Sequence, residues 1–143
     1  MKKLLFPLFC LALIGFYACG GEDDMDDPME PMAPEYNINI ISPTTDDKKV
    51  NDKINIEVDF TEANNNTIHH VQVRIVDKAD GSEVYDAPSD AHVHRTDGKY
   101  EFRDEFNLGV NGHTDWLVIA KVWGHMAGAH EKSDTVEFHV HPR

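Results

Sequence analysis

The sequence is poor in cysteine: its 143 residues include two, Cys10 and Cys19, and both lie near the N-terminus. A domain formed by the rest of the chain has no disulfide, so its packed core alone must hold it together. Basic residues are also scarce, with 13 Lys and Arg against 26 Asp and Glu and a net charge of −13. Nucleic-acid binding and docking on anionic membrane surfaces need clustered positive charge, and this balance argues against both.

Catalytic sequence motifs are missing as well. The chain has no His-Glu-x-x-His zinc motif, no Gly-x-Ser-x-Gly nucleophile elbow, no phosphate-binding loop and no dinucleotide fingerprint. Glu101, Asp104 and Glu105 are close in sequence, but the first two have opposite parity on one predicted strand. We expect them to be solvated rather than to form the carboxylate pair of a glycosidase. We therefore predict that the protein is not an enzyme.

Residues 1–18 are typical of a secretory signal peptide. A short positive start precedes an apolar run that is shorter than the roughly 20 residues of a membrane-spanning helix. The run Phe16-Tyr17-Ala18-Cys19 then resembles a bacterial lipobox, although Phe16 and Tyr17 depart from its usual leucine and small residue. The resemblance implies cleavage before Cys19 and lipidation of that cysteine, which anchors the chain in a membrane.

Residues 19–35 form an acidic segment that contains prolines and no basic residue. Its acidic residues are Glu22, Asp23, Asp24, Asp26, Asp27, Glu30 and Glu35. Like charges and prolines keep such a segment extended. It resembles the tether with which some Gram-negative bacteria place lipoproteins on the outer face of the outer membrane, and a plain solubilising linker is the alternative. Residues 36–143 remain as the predicted domain.

From Tyr36 onward, apolar residues alternate with polar ones, which is the pattern of half-buried β-strands. The alternation predicts no helix and seven strands, at Tyr36–Ile41, Lys53–Phe60, Ile68–Asp77, Glu83–Asp86, Lys99–Leu108, Trp116–Trp123 and Asp134–Val140. Asp77–Gly81 is predicted to be a hairpin turn. Asp104 falls on the inward face of its strand, so we predict a local bulge that turns it outward.

Seven short strands separated by turns are typical of antiparallel immunoglobulin and fibronectin III sandwiches. The last third of the chain resembles the closing strands of bacterial immunoglobulin-like domains, with Leu117–Gly124, the loop His125–Lys132 and Ser133–Val140. As a whole, the sequence resembles small surface lipoproteins of Gram-negative bacteria that carry one such domain. The resemblance implies an all-β immunoglobulin-like sandwich and a lipid anchor in the outer membrane. It implies little about activity.

All nine histidines lie between His69 and His141. With up-and-down connections, six of them fall at one end of the sandwich: His69, His70, His92, His94, His125 and His130. The other three, His113, His139 and His141, fall at the opposite end. Because residues i and i+2 of a strand share a face, His92-x-His94 and His139-x-His141 are potential two-nitrogen chelates.

Neutral imidazole is a common metal ligand, and groups of three or four without a thiolate favour copper(II) or zinc. Met126 adds a soft ligand suited to copper(I). We therefore predict a binding module whose six-histidine end binds copper or zinc, with the three-histidine end as a second candidate. Two alternatives remain open. The histidines are merely solvated, or the domain is a structural or adhesion module that contacts a protein or glycan partner through residues such as Tyr100 and Trp123.

Overall fold

The computed structural model describes residues 32–125 and 130–143. These ranges contain nine strands and no helix: β1 (Tyr36–Ser42), β2 (Lys48–Lys49), β3 (Lys53–Glu62), β4 (Ile68–Asp77), β5 (Glu83–Ala87), β6 (His92–Arg95), β7 (Lys99–Asn107), β8 (Thr114–Trp123) and β9 (Lys132–His141). All seven predicted strands are present, and the short strands β2 and β6 are additional. The signal peptide, Cys19, most of the acidic segment and Met126 lie outside the described residues.

The strands form two sheets. One has the order β1-β3-β7, and the other has the order β2-β9-β8-β4-β5, with β6 also paired to β4. The pairs among the long strands are antiparallel, whereas the short β2 runs parallel to β9. The chain passes repeatedly between the sheets, as it does from β3 to β4 and from β7 to β8. The all-β sandwich prediction is therefore confirmed for the described residues.

The core lies between the two sheets and follows the alternation of the sequence. Ile54, Ile56, Val58 and Phe60 of β3 are buried on one side. On the other side are Val71, Val73 and Ile75 of β4, Val118, Ala120 and Val122 of β8, and Phe138 and Val140 of β9. Burial of such side chains contributes about 1.5–3 kcal/mol each. The outward positions of β4, β8 and β9 are left free to carry polar groups.

The predicted hairpin turn between β4 and β5 is present. The amide of Gly81 donates a hydrogen bond to the carbonyl oxygen of Asp77 at 2.9 Å, and the amide of Asp77 donates to the carbonyl oxygen of Ser82 at 2.8 Å. Gly81 has a φ of 74°, a backbone conformation that glycine adopts at little steric cost. The predicted hairpin turn at Asp77–Gly81 is therefore confirmed.

The predicted bulge at Asp104 is wrong. The register between β3 and β7 is continuous through the pair Ile56–Asp104. Asp104 is exposed because β7 is an edge strand, and its carboxylate accepts a hydrogen bond from the Tyr85 hydroxyl at 2.5 Å. An inward position on an edge strand thus reaches solvent without a bulge. The neighbouring Glu101 and Glu105 form exposed ion pairs with Arg103 and Lys53, in line with solvated carboxylates.

Candidate metal centres

One group of histidines converges where β4 begins. His69 shares the inward parity of Val71 and is buried, and β6 pairs beside it through His70 and His92. This pairing brings both histidines of β6 to the start of β4. One ring nitrogen from each of His69, His92 and His94 lies within 4.8 Å of the other two. We call these three residues the first cluster.

Two further predicted ligands contact the first cluster. The ring centroid of His125 lies 3.5 Å from that of His69, and the His94 centroid lies 5.0 Å from it. His70 points to the outer face of the sheet, where its ring is stacked 5.1 Å from Trp123 and lies 5.2 Å from His92. The His70 Nδ1 atom is 3.0 Å from the carbonyl oxygen of Gly124. His125 is therefore placed to extend the first cluster, whereas one nitrogen of His70 already has a backbone partner.

The remaining predicted residues of this end are placed differently. His130 is exposed and makes no ring contact with another histidine in the described part of the chain. Tyr100 packs against Phe60 with ring centroids 6.3 Å apart, so it belongs to the edge of the core. The ring of Trp123 stacks on His70, and the Lys121 ammonium lies 5.3 Å from its ring centroid. Among the aromatic residues predicted to face a partner, Trp123 is the one on an outward face.

His69 is the buried member of the first cluster, with 8% of its surface exposed. Its Nδ1 atom has no hydrogen-bond partner among the described residues. Burial, together with the neighbouring imidazoles of His125 and His94, lowers the pKa of His69. The ring is therefore neutral at pH 7 and retains a lone pair for a metal ion. A buried polar atom without a partner calls for a specific explanation, and a bound ion is one of them.

The backbone adopts an unusual conformation at several histidines. His94, His113 and His130 have φ values of 47°, 62° and 52°, in the left-handed region. Histidine visits this region more often than most residues with a Cβ atom, but such positions also concentrate at functional sites. In His94 this conformation departs from regular strand geometry, so the two rings of His92-x-His94 do not follow simple alternation. Their centroids are nevertheless 5.9 Å apart.

The second group, His113, His139 and His141, converges at the other end of β8 and β9. One ring nitrogen from each lies within 4.8 Å of the other two, and the centroids of His139 and His141 are 4.7 Å apart. We call these three residues the second cluster. Asp115 and Trp123 are eight positions apart on β8, which corresponds to about 26 Å along a strand. The two clusters are therefore separate.

Carboxylates contact two imidazoles of the second cluster. The Asp115 Oδ1 atom lies 2.6 Å from Nδ1 of His139, and the Asp47 Oδ2 atom lies 3.0 Å from Nε2 of His141. The hydrogen bond with His139 holds the pKa of the Asp115 carboxyl below its usual range. Glu137 shares the outward face with both histidines but pairs with the Lys78 ammonium at 2.7 Å. Asp47 and Asp115 were not among the predicted site residues.

Neither carboxylate lies on β9 with His139 and His141, which they contact, although Asp115 follows His113 by two residues. Asp115 faces His139 directly across the β8–β9 pair. This register depends on the loop between the strands, and the sequence does not define how many of its residues remain unpaired. Asp47 is the residue just before β2 and contacts His141. The two residues of β2 pair in parallel with the end of β9. A strand of two residues has no detectable alternation.

The two packed antiparallel sheets define the class of the protein: an immunoglobulin-like β-sandwich. The fold is similar to the solution NMR structure of the CARDB domain of PF1109 from Pyrococcus furiosus. That match has a TM-score of 0.52 and 14% sequence identity, and it covers 76% of this chain and 96% of the other. A likeness at this identity shows the fold alone. The chain matches no protein-family model and no curated protein.

Within residues 32–125 and 130–143, no helix has the length and apolar character to cross a membrane.

Proposed function

We propose that this immunoglobulin-like domain is a binding module for a transition metal ion, copper or zinc, and that the first cluster is its site. The convergence of His69, His92 and His94 supports the proposal most strongly, because their ligand nitrogens lie within 4.8 Å of one another. The partnerless Nδ1 atom of the buried His69 adds to it. The absence of nucleophile and phosphate-binding motifs from the sequence favours binding over catalysis.

The chemistry of the first cluster suits these two metals. Zinc-bound nitrogens in a tetrahedral site are roughly 3.3 Å apart, since each Zn–N bond is about 2.0–2.1 Å. The three rings therefore need to approach one another by at most about 1.5 Å, which side-chain rotation can supply. His125 is available as a fourth imidazole, and four nitrogen ligands suit tetragonal copper(II) as well. His69 lies on β4, and His92 and His94 lie on β6, so hydrogen-bonded strands position these three residues. His125 lies in the loop after β8.

The test is calorimetric titration of the untagged full chain, purified in a mild detergent, with copper(II) and with zinc at pH 7.5. We expect the double variant His92→Ala/His94→Ala to lose at least ~100-fold in affinity for the metal that binds the first cluster, because it removes two of three ligands. Metal content of the purified protein, measured by mass spectrometry, provides a second readout.

His113→Ala is the matched control, because it removes one imidazole from the opposite end of the domain. It should leave the affinity of the first cluster unchanged. Equal affinity in the wild type and the double variant would rule out this site. The competing class, a structural or adhesion module for a protein or glycan partner, would be favoured if the wild-type chain bound neither copper nor zinc.

We also propose that the module is attached to the outer membrane, at the cell surface, through a lipid on Cys19. The lipobox-like run and the acidic segment after it support this location. Metabolic labelling with a radioactive fatty acid should label the wild-type chain, whereas Cys19→Ser should remain unlabelled and accumulate with its signal peptide attached. Cys10→Ser serves as the control and should label normally. Labelling of the Cys19→Ser variant would refute the anchor.

A further inference from the structure

The second cluster differs from the first in that carboxylates already fix two of its rings. A neutral imidazole carries one N–H and one lone pair, and an ionised carboxylate only accepts hydrogen bonds. The contact with Asp115 therefore places the proton of His139 on Nδ1 and leaves the lone pair on Nε2. The contact with Asp47 places the proton of His141 on Nε2 and leaves the lone pair on Nδ1. Each ring thereby keeps its lone pair on the nitrogen that does not contact the carboxylate.

We propose that His113, His139 and His141 form a second metal site, for zinc(II), in which Asp115 and Asp47 act as positioning residues. The metal binds Nε2 of His139 and Nδ1 of His141, with one nitrogen of His113 as third ligand. This site is distinct from the first cluster and does not depend on it.

The ligand set and its surroundings favour zinc at this site. Three imidazoles with an open fourth position are a common zinc arrangement, and the ring N–H groups of zinc ligands usually donate to a carboxylate, a backbone carbonyl or water. Asp115 and Asp47 also supply two negative charges, which offset the charge of the ion. A shallow cavity of about 360 Å³, lined in part by His113 and Asp115, lies beside the cluster. It leaves room for a water molecule or an exogenous ligand beside His113.

Backbone contacts hold together the segments that carry the second cluster and Asp47. The His113 amide donates to the carbonyl oxygen of Val140 at 2.7 Å, and the Val50 amide donates to that of His141 at 2.9 Å. Gly112 lies against Pro142 so closely that a Cβ atom there would be 2.7 Å from the proline nitrogen. The loop before β8, the segment around β2 and the end of β9 are thus bound together. Such preorganisation reduces the entropic cost of binding an ion.

The experiment uses the untagged full chain carrying His92→Ala/His94→Ala, so that zinc binding at the first cluster does not contribute. Calorimetry should detect about one zinc ion per chain, and addition of His139→Ala/His141→Ala should lower the affinity at least ~100-fold. Asp115→Ala should lower it by about 10- to 100-fold, the usual effect of losing a carboxylate that orients a ligand. Glu137→Gln is the matched control on the same face and should leave the affinity unchanged, because Glu137 pairs with Lys78.

A spectroscopic readout separates positioning from general stabilisation. Long-range ¹H–¹⁵N correlation spectra of the metal-free protein should show His139 protonated on Nδ1 and His141 on Nε2. In Asp115→Ala, His139 should shift toward the Nε2-protonated tautomer while the tautomer of His141 stays unchanged. The proposal is wrong if the wild-type His139 is protonated on Nε2, or if the His139→Ala/His141→Ala variant binds zinc as tightly as its parent. Neither result depends on the first cluster.

Discussion

Phe138→Ala should lower the free energy of unfolding by about 3–5 kcal/mol, the usual range for truncating a buried phenylalanine. Phe138 is 1% exposed and lies between the sheets on β9. The domain from residue 36 onward contains no cysteine, so no disulfide limits the loss. Small domains have about 5–15 kcal/mol of stability in total, so this loss is a large fraction of it. Urea denaturation of the full chain, followed by tryptophan fluorescence, measures the change.

His139→Ala is the control for Phe138→Ala. His139 is the next residue on β9, and its half-buried side chain points outward. Its hydrogen bond with the Asp115 carboxylate is partly solvated, and a typical hydrogen bond contributes about 0.5–1.5 kcal/mol. We expect a loss of that size and no more. Similar losses for the two variants would show that β9 does not alternate as described. The contrast matters for the proposed metal site, because it means that histidines of the second cluster can be replaced while the fold is retained.

Much of the fold was predictable because alternation is a direct consequence of burying one sheet face. Ile54, Ile56, Val58 and Phe60 repeat with period two, and all four are buried as predicted. The turn at Gly81 was predictable for a local reason, since the chain there needs a positive φ. These features depend on residues close together in sequence.

The features that were missed depend on long-range partners. β6 is a strand of four residues that exists because it pairs with β4, and alternation over so short a run carries little information. Asp104 was expected to need a bulge because its position was treated as part of a closed interior. The position lies instead on the edge strand β7, next to the Tyr85 hydroxyl from the other sheet. Which strands form edges is decided by sheet order, which the sequence pattern alone does not contain.

The candidate metal sites also contain features that local spacing predicts and features that depend on long-range partners. Histidines that share a strand, such as His139 and His141, could be grouped from their spacing. The rings of His69 and His125 are in contact, and the placement of both residues at one end of the sandwich was predicted from strand direction alone. The carboxylates of Asp47 and Asp115 depend on registers across loops and were not found. Sequence reasoning thus grouped the candidate ligands and missed the carboxylates that contact them.

Glu62→Ala should destabilise the domain by about 2–4 kcal/mol at pH 7. Glu62 is a buried acidic residue at the end of β3, with 6% of its surface exposed. Its carboxylate accepts hydrogen bonds from the backbone amides of Glu35, at 2.8 Å, and of Asn66. Removing it leaves donors without a partner, and hydrogen bonds to charged groups contribute about 1.5–3 kcal/mol each. The Asn66 contact closes the turn that leads into β4 and His69.

The same carboxylate predicts how stability depends on pH. Burial acts to raise the pKa of Glu62, but hydrogen bonds from the backbone of Glu35, Asn66 and Asn64 outweigh it and hold the pKa below its usual value. A lowered folded-state pKa stabilises the native state above the unfolded-state pKa of about 4.3, and this contribution is lost as the pH falls through the folded value. The stability difference between wild type and Glu62→Ala should therefore be largest near pH 7 and shrink below about pH 4.

Denaturation of both proteins at several pH values between 3 and 7 tests this dependence. Glu101→Ala is the matched control, because its side chain is 75% exposed on the neighbouring strand β7. It should change stability by no more than ~0.5 kcal/mol at any of these pH values. A difference between wild type and Glu62→Ala that stays constant across the range would mean that packing, and not the ionised carboxylate, accounts for the loss. The turn before His69 would then be held without the charge on Glu62.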